Sequence, residues 1–370
     1  MAKKKPDEDS EGAEPAGPRF TAELIGHRGA EQEFADAYAS GRLPHAWLIC
    51  GPKGIGKATL AYRFARFLFA KGAGKGGGAG LFGPAPDSND MAMSPEDPIF
   101  RRVAAGGHAD LKVVERSVNP DTGKRRGEIV VDDVRALGEF LRLTPAEGGY
   151  RVVIVDAADE MNRNAANAVL KALEEPPSRS VLLLVSHSPG RLLPTIRSRC
   201  RKLTLSPLTD TEVSGALAHL RPELDEEERE AAARLAGGSI GRAVEIADAG
   251  GGALYGEMVS VLAKLPKLDV GALQRFAGDA VSGGIELPAD LLRLWHARFL
   301  SGAATGQWPA DLARGEAGTF QRLAQGAQLD RWFEVWEKND RLFKRADSLN
   351  LDHRQVLLNA FLALESAARA

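Results

Sequence analysis

Cysteine is scarce in this chain. Only Cys50 and Cys200 are present, and neither has a second cysteine at metal or redox spacing. That excludes an internal disulfide framework and a four-thiolate zinc site, and it points to a reducing, cytoplasmic compartment. A surplus of charge of one sign is also missing. The formal net charge is -2, which argues against a globally basic nucleic-acid binder but leaves room for a local basic patch. No apolar run approaches the ~20 residues of a membrane span. The N-terminus, MAKKKPDEDSEGAEPAGPR, has the lysines of a secretion signal without the apolar stretch that should follow, so residues 1–19 read as a disordered tail.

Apolar material is plentiful: 44% of the 370 residues are hydrophobic and 26% charged, enough for two or three packed domains. HAWLIC (45–50) reads as a buried strand. After it, 57–70 carries Leu60, Phe64, Phe67 and Leu68 at helical spacing. Residues 71–119, rich in Gly, Pro, Ser and Asp, read as a flexible surface insertion with a short strand at 111–114. Asp132 or Asp133 is expected to cap a helix whose face is Val134, Leu137 and Leu141. Further strands are expected at 152–155, 181–185 and 201–205. Between the first two, a helix capped by Asn162 or Asn164 is stopped by Pro176-Pro177. Apolar strands alternating with helices imply a parallel sheet covered on both faces. Beyond Pro207 the strand signals fade. Residues 209–249 read as a small helical unit containing GGSIGRA. From about 254 onward Leu291, Leu292, Trp295, Phe299, Trp332, Val335, Trp336, Val356, Leu357 and Phe361 follow a helical pattern.

The segment GPKGIGK (51–57) matches a phosphate loop up to its lysine, between a strand and a helix as the motif requires. Gly51, Gly54 and Gly56 would let backbone N–H groups close around phosphate oxygens, and Lys57 would reach the terminal phosphates. The next position should offer a hydroxyl to magnesium. Here it is Ala58, and Thr59 comes one residue late, about 100° around the helix. The acidic strand VVIVD ends in Asp156, which could hold magnesium through water. Ala157 stands where a water-polarising glutamate is expected, with Asp159 and Glu160 farther on. Two groups are thus missing from two separate motifs, which suggests a nucleotide fold kept for its shape.

HAWLICGPKGIGKATLA, AANAVLKALEEPPSRSVLLLVSHSPGRLLPTIRSRC and GGSIGRA resemble the bacterial DNA polymerase III clamp-loader family of AAA+ proteins, its delta-prime branch above all. The resemblance runs from about residue 24 to the end, strongly in the first two thirds and weakly in the helical tail. It implies a five-membered ring that opens a sliding clamp and places it on primed DNA. In that ring this branch does not hydrolyse ATP but lends an arginine to a neighbour. By the same resemblance, Ser198-Arg199-Cys200 matches the SRC motif, with Arg199 the finger acting in trans. Ser186 corresponds to sensor 1 and Arg242 to the sensor-2 arginine. The family often carries a four-cysteine zinc module in the stretch occupied here by 73–108. No cysteine stands there, so no zinc is expected, and His108 with Asp110 does not make up for it.

The expected fold is therefore α/β: an AAA+ phosphate-loop domain over 20–206 with its insertion, a small helical lid over 207–250 and an all-helical collar over 251–370. The tryptophans Trp295, Trp332 and Trp336 are expected to serve assembly of the collar. The expected function is a non-hydrolysing clamp-loader stator within the DNA polymerase holoenzyme, with no ATPase activity alone. Its ATP–Mg²⁺ site, weak or absent, would comprise Gly51, Gly54, Gly56, Lys57, Thr59, Asp156, Ser186 and Arg242, with no resident metal. The expected partners are gamma/tau-type and delta-type loader subunits and the sliding clamp, with primed DNA reached through the complex and no membrane. The alternative is an ATP-hydrolysing gamma/tau-type motor. Ala58 and Ala157 argue against it, and a small-molecule kinase would need an intact magnesium shell as well.

Overall fold

A computed structural model describes residues 17–73, 90–147, 149–309, 311–326, 328–346, 349 and 351–369. Most of the expected tail and the glycine-rich stretch 74–89 lie outside the described residues. The chain divides into two compact units, Met1–Leu208 and Thr209–Ala370.

Five strands build the first unit: β1 (Ala46–Cys50), β2 (Leu111–Val114), β3 (Arg151–Asp156), β4 (Ser180–Ser186) and β5 (Arg201–Thr204). Every pairing is parallel, in the spatial order β2-β3-β4-β1-β5. Helix α1 (Arg28–Ala39) precedes the first strand; parallel neighbours need crossovers, and the later helices supply them: α2 (Lys57–Ala73), α3 (Pro98–Ala104), α4 (Val131–Arg135), α5 (Leu137–Arg142), α6 (Arg163–Glu174) and α7 (Pro194–Arg197). Successive side chains of one strand enter opposite layers. Trp47, Ile49, Ile154 and Leu183 pack with Phe34, Phe64 and Leu68 of α1 and α2. Leu48, Cys50, Val153, Val155, Leu182 and Leu184 pack with Val134, Leu141, Val169 and Ile196 on the other face. Burial on both faces explains why these strands read as unbroken apolar runs rather than as alternation.

Two local expectations need correction. The helix expected from Asp132 or Asp133 begins earlier, at Val131, and breaks at Ala136 into α4 and α5. Asp133 still serves the first turn, but from inside it, where its carboxylate accepts the Val130 N–H at 2.8 Å. The insertion is also not featureless. Residues 98–104 form α3, which starts because Asp97 accepts the Ile99 N–H at 2.7 Å and Pro98 presets the first helical turn. Phe100 and Val103 are buried beneath it. The surrounding Gly, Pro and Asp masked a short helix whose start signals use those same residue types.

The helix over 163–174 follows expectation. Asn162 caps it, accepting the Ala165 N–H at 2.9 Å, and it ends before the proline pair.

In the second unit all nine elements among the described residues are helices: α8 (Asp210–Leu220), α9 (Glu226–Ala236), α10 (Ile240–Asp248), α11 (Gly251–Leu262), α12 (Val270–Ala280), α13 (Glu286–Thr305), α14 (Glu316–Ala324), α15 (Leu329–Ala346) and α16 (His353–Ala368). Capping boxes Thr209/Glu212 and Asp225/Glu228 start α8 and α9. The residues expected as lid and collar fall together in this unit. Trp295 and Trp332, expected to serve assembly, are 0% and 1% exposed and pack with Phe299 and Phe320 in the unit's own core. They are therefore not available to a partner. Of the three tryptophans, only Trp336 remains half-buried. No described helix is long and apolar enough to cross a membrane.

The C-terminal end of α2 packs tightly against the segment before β3. A Cβ at Gly72 would lie 2.5 Å from the Gly149 Cα. Gly72→Ala is expected to destabilise the first unit by about 1–3 kcal/mol, despite alanine's helix propensity advantage of about 1 kcal/mol. Gly256→Ala, in α11 with open space around it, is the control and should not destabilise. Denaturant midpoints of the three proteins decide, and equal midpoints for Gly72→Ala and wild type would show that the segment yields freely.

Candidate functional site

The glycine loop leaves the C-terminal end of β1 and enters α2 at Lys57. Its glycines adopt conformations that other residues resist, with φ of 146° at Gly51, 77° at Gly54 and 100° at Gly56. At Gly51 a Cβ would also meet Leu205 O at 2.6 Å. The loop is braced from outside by His27, whose Nε2 lies 2.8 Å from Ile55 O. His27 was not legible as a site residue. It stands 28 positions from its partner, and its left-handed φ of 58° leaves no trace in residue type. Lys57 is 3% exposed and its ammonium donates to Pro52 O, within the loop itself. Burial pulls its pKa down from 10.5 to about 8, opposed by the nearby carboxylates of Asp156 and Asp159. The loop fits a phosphate, which would replace Pro52 O as the partner of Lys57. It does not offer the magnesium hydroxyl: Ala58 has none, and Thr59 is buried at 9% exposure on the next position of the helix.

The strand register brings the other expected residues to the same sheet edge. Ser186 ends β4 directly opposite Cys50, the last residue before the loop. It is fully buried, and its hydroxyl has no hydrogen-bond partner among the described residues. Asp156 ends β3 opposite Val185. Burial pushes its carboxyl above the ordinary range, while Lys57 pulls it back. Ala157 follows. Asp159 and Glu160, the acids that could replace a missing glutamate, are both engaged. Asp159 accepts the His187 and Ser188 N–H groups at 2.8 and 3.1 Å, and Glu160 pairs with Arg116 at 2.9 Å. Burial, reinforced by Lys57, lowers the pKa of His187 and so favours its neutral form.

Arg199 follows α7 and is exposed. Its Nη1 donates to Thr195 O at 3.1 Å and its Nη2 lies 3.0 Å from Glu174 Oε1 at the end of α6. Neither anchor belongs to the glycine loop. Arg242 lies in the second unit, in the first turn of α10, half-buried, with its N–H held by Ser239 Oγ at 3.2 Å. Cys50 is buried and Cys200 half-buried, and both are free thiols.

A buried ammonium costs stability, and the sign can be worked out. Between about pH 8 and 10.5 the unfolded chain holds the Lys57 proton and the folded chain does not, so stability rises with pH across that window. The penalty is fully present below about pH 8 and corresponds to roughly 3 kcal/mol. Lys57→Met is therefore expected to stabilise the first unit at pH 7, with the gain shrinking to nothing above pH 10.5. Urea titrations of both proteins at pH 7 and 10.5 check this, and a gain independent of pH would show that packing rather than charge is responsible.

Residues 26–209 match the family model described as DNA polymerase III, delta subunit. The DNA polymerase III subunit delta' of Pseudomonas aeruginosa is 40% identical over 196 residues, 53% of this chain and 53% of that protein. The corresponding subunit of Bacillus subtilis is 33% identical over 176 residues, 48% of this chain and 46% of that protein. The tau/gamma subunit of Haemophilus influenzae is 30% identical over 203 residues, 55% of this chain and 26% of that protein. The chain spans about half the length of the delta' relatives it matches and about a quarter of the tau/gamma relative. Through residues 26–209, a phosphate-loop α/β unit with an SRC arginine at its surface, this chain belongs to the DNA polymerase III delta subunit family.

Proposed function

We propose that this chain is a clamp-loader subunit of a replicative DNA polymerase that does not hydrolyse ATP and supplies Arg199 to the ATP site of a neighbouring subunit. The observation that carries the first half is the engagement of Asp159 and Glu160. With Ala58 and Ala157 in place, the own site offers no magnesium hydroxyl, and both nearby acids hold up the strand ends and Arg116 instead of a water. Phosphoryl transfer depends on positioning and charge stabilisation, and a loop with phosphate amides alone supplies neither the metal nor the oriented water. The proposed nucleotide interaction is therefore weak ATP binding through Gly51, Gly54, Gly56 and Lys57. Ser186 would act as sensor 1, Asp156 would hold any magnesium through water, and Thr59 would play no metal role.

The second half rests on exposure. Arg199 presents a planar, permanently charged fork outside its own glycine loop, suited to a triphosphate carried by another chain. The proposed partners are gamma/tau-type ATPase subunits, a delta-type subunit and the sliding clamp. Primed DNA would be reached through the assembly, and the location would be the cytoplasm. A second reading, an ATP-hydrolysing gamma/tau-type motor, is favoured by the complete GPKGIGK loop and by the tau/gamma match.

The isolated chain is expected to show no ATP turnover above background. Turnover that is lost on Lys57→Ala would establish the motor reading instead. In a loader reconstituted with its ATPase subunits, clamp and primed DNA, Arg199→Ala is expected to leave folding and assembly intact, since exposed substitutions rarely exceed about 0.5 kcal/mol. It should lower steady-state turnover about tenfold. That is less than the roughly 10³–10⁵ attached to a single-site arginine finger, because other sites in the ring continue. Arg199→Lys should rescue poorly, having charge without the fork. Wild-type turnover from the Arg199→Ala loader would remove Arg199 from the mechanism.

A further inference from the structure

We infer that Glu174 is a positioning residue for Arg199, holding its guanidinium in a preset orientation before any neighbouring subunit docks. This inference rests on the reading of Arg199 as a finger acting in trans.

The argument begins with a carboxylate in an unfavourable place. Glu174 is the last residue of α6, with Glu175 as its C-cap. The C-terminal end of a helix carries partial negative charge, so two acids there work against the helix unless a cation answers them. Pro176-Pro177 keep the chain extended immediately afterwards and prevent the helix from continuing past them. The cation that meets Glu174 comes from a different element. Arg199 follows α7, and its Nη2 reaches Glu174 Oε1 at 3.0 Å while its Nη1 reaches back to Thr195 O at 3.1 Å. The side chains are 37% and 50% exposed, so the pair is too solvated to contribute much to stability.

What the pair does supply is orientation. A long arginine side chain is entropically costly to freeze, and here two anchors on separate rigid elements freeze it in the unassembled chain. The guanidinium has five N–H donors. The described contacts occupy one donor on Nη1 and one on Nη2 of a side chain that is 37% exposed, and the remaining donors are the ones proposed to meet phosphate oxygens. A group that must meet the charge developing on a neighbour's transferring phosphoryl gains from being set beforehand, because small misplacements are expensive in rate.

The test is a mutant cycle in the reconstituted loader, reading kcat and KM for ATP separately and following assembly by gel filtration. Glu174→Ala is expected to lower kcat about threefold to fivefold with KM and assembly unchanged. Glu174→Gln, which keeps an acceptor oxygen in the same place, should retain most of the rate. The Glu174→Ala/Arg199→Ala double variant should be no slower than Arg199→Ala alone, because a positioning residue has nothing left to position. Glu174→Ala at wild-type rate or faster, beside a slow Arg199→Ala, would overturn the inference and leave the finger reading standing. So would additive losses in the double variant, or a loss of assembly. If Arg199→Ala itself runs at wild-type rate, the finger reading fails and takes this inference with it.

Discussion

The side-by-side register of three parallel strands fixes where chemistry can occur in the first unit. Cys50 lies opposite Ser186, and Val185 lies opposite Asp156. The end of β1, which launches the glycine loop, is thereby set beside a buried hydroxyl and one strand away from a half-buried carboxylate. Both faces of the sheet are closed by helices, so the strand ends are where polar groups emerge from an apolar interior. The burial that makes the strands apolar runs also lowers the pKa of Lys57 and raises that of Asp156.

At that edge several polar groups are engaged with the protein's own backbone and side chains. Lys57 turns onto its own loop, Asp159 holds the two amides that follow β4, and Glu160 is tied to Arg116. Together these contacts engage Asp159 and Glu160, whereas Asp156 at the end of β3 makes none of them. The solvent-facing cation, Arg199, is elsewhere, on the turn after α7, held by Thr195 O and Glu174. The cradle for phosphate is retained while Asp159 and Glu160 brace the surrounding backbone and Arg116.

The second unit solves a different problem with different means. Helices α8 and α9 begin on capping boxes, and an aromatic core closes around Trp295, Phe299, Phe320 and Trp332. Within that core His296 is fully buried, and desolvation drives its pKa down to about 4, which keeps it neutral. Trp295, Phe299, Phe320 and Trp332 are therefore accounted for by the unit's own packing. Exposed apolar side chains remain on α15 and α16, among them Phe333 at 52% and Leu362 at 45%.

The sequence by itself determined the elements whose signal is local. Apolar runs marked all five strands to within a residue or two, glycine and lysine spacing marked the loop, Asn162 marked the start of α6 and Pro176-Pro177 its end. It also determined what is missing, since Ala58 and Ala157 carry no group that a fold could supply. Tertiary structure decided everything that depends on residues far apart in the chain. It set His27 against Ile55, Arg199 against Glu174, and Asp159 beneath the amides after β4. It showed α3 within a stretch whose composition reads as loop, and enclosed Trp295 and Trp332 where the sequence suggested a docking surface. The physical reason is range. Caps, turns and periodicity act over a few residues and leave a mark in residue type. Burial and ion pairing depend on which elements the sheet order brings together, and an arginine or a tryptophan looks the same in sequence whichever neighbour it finally meets.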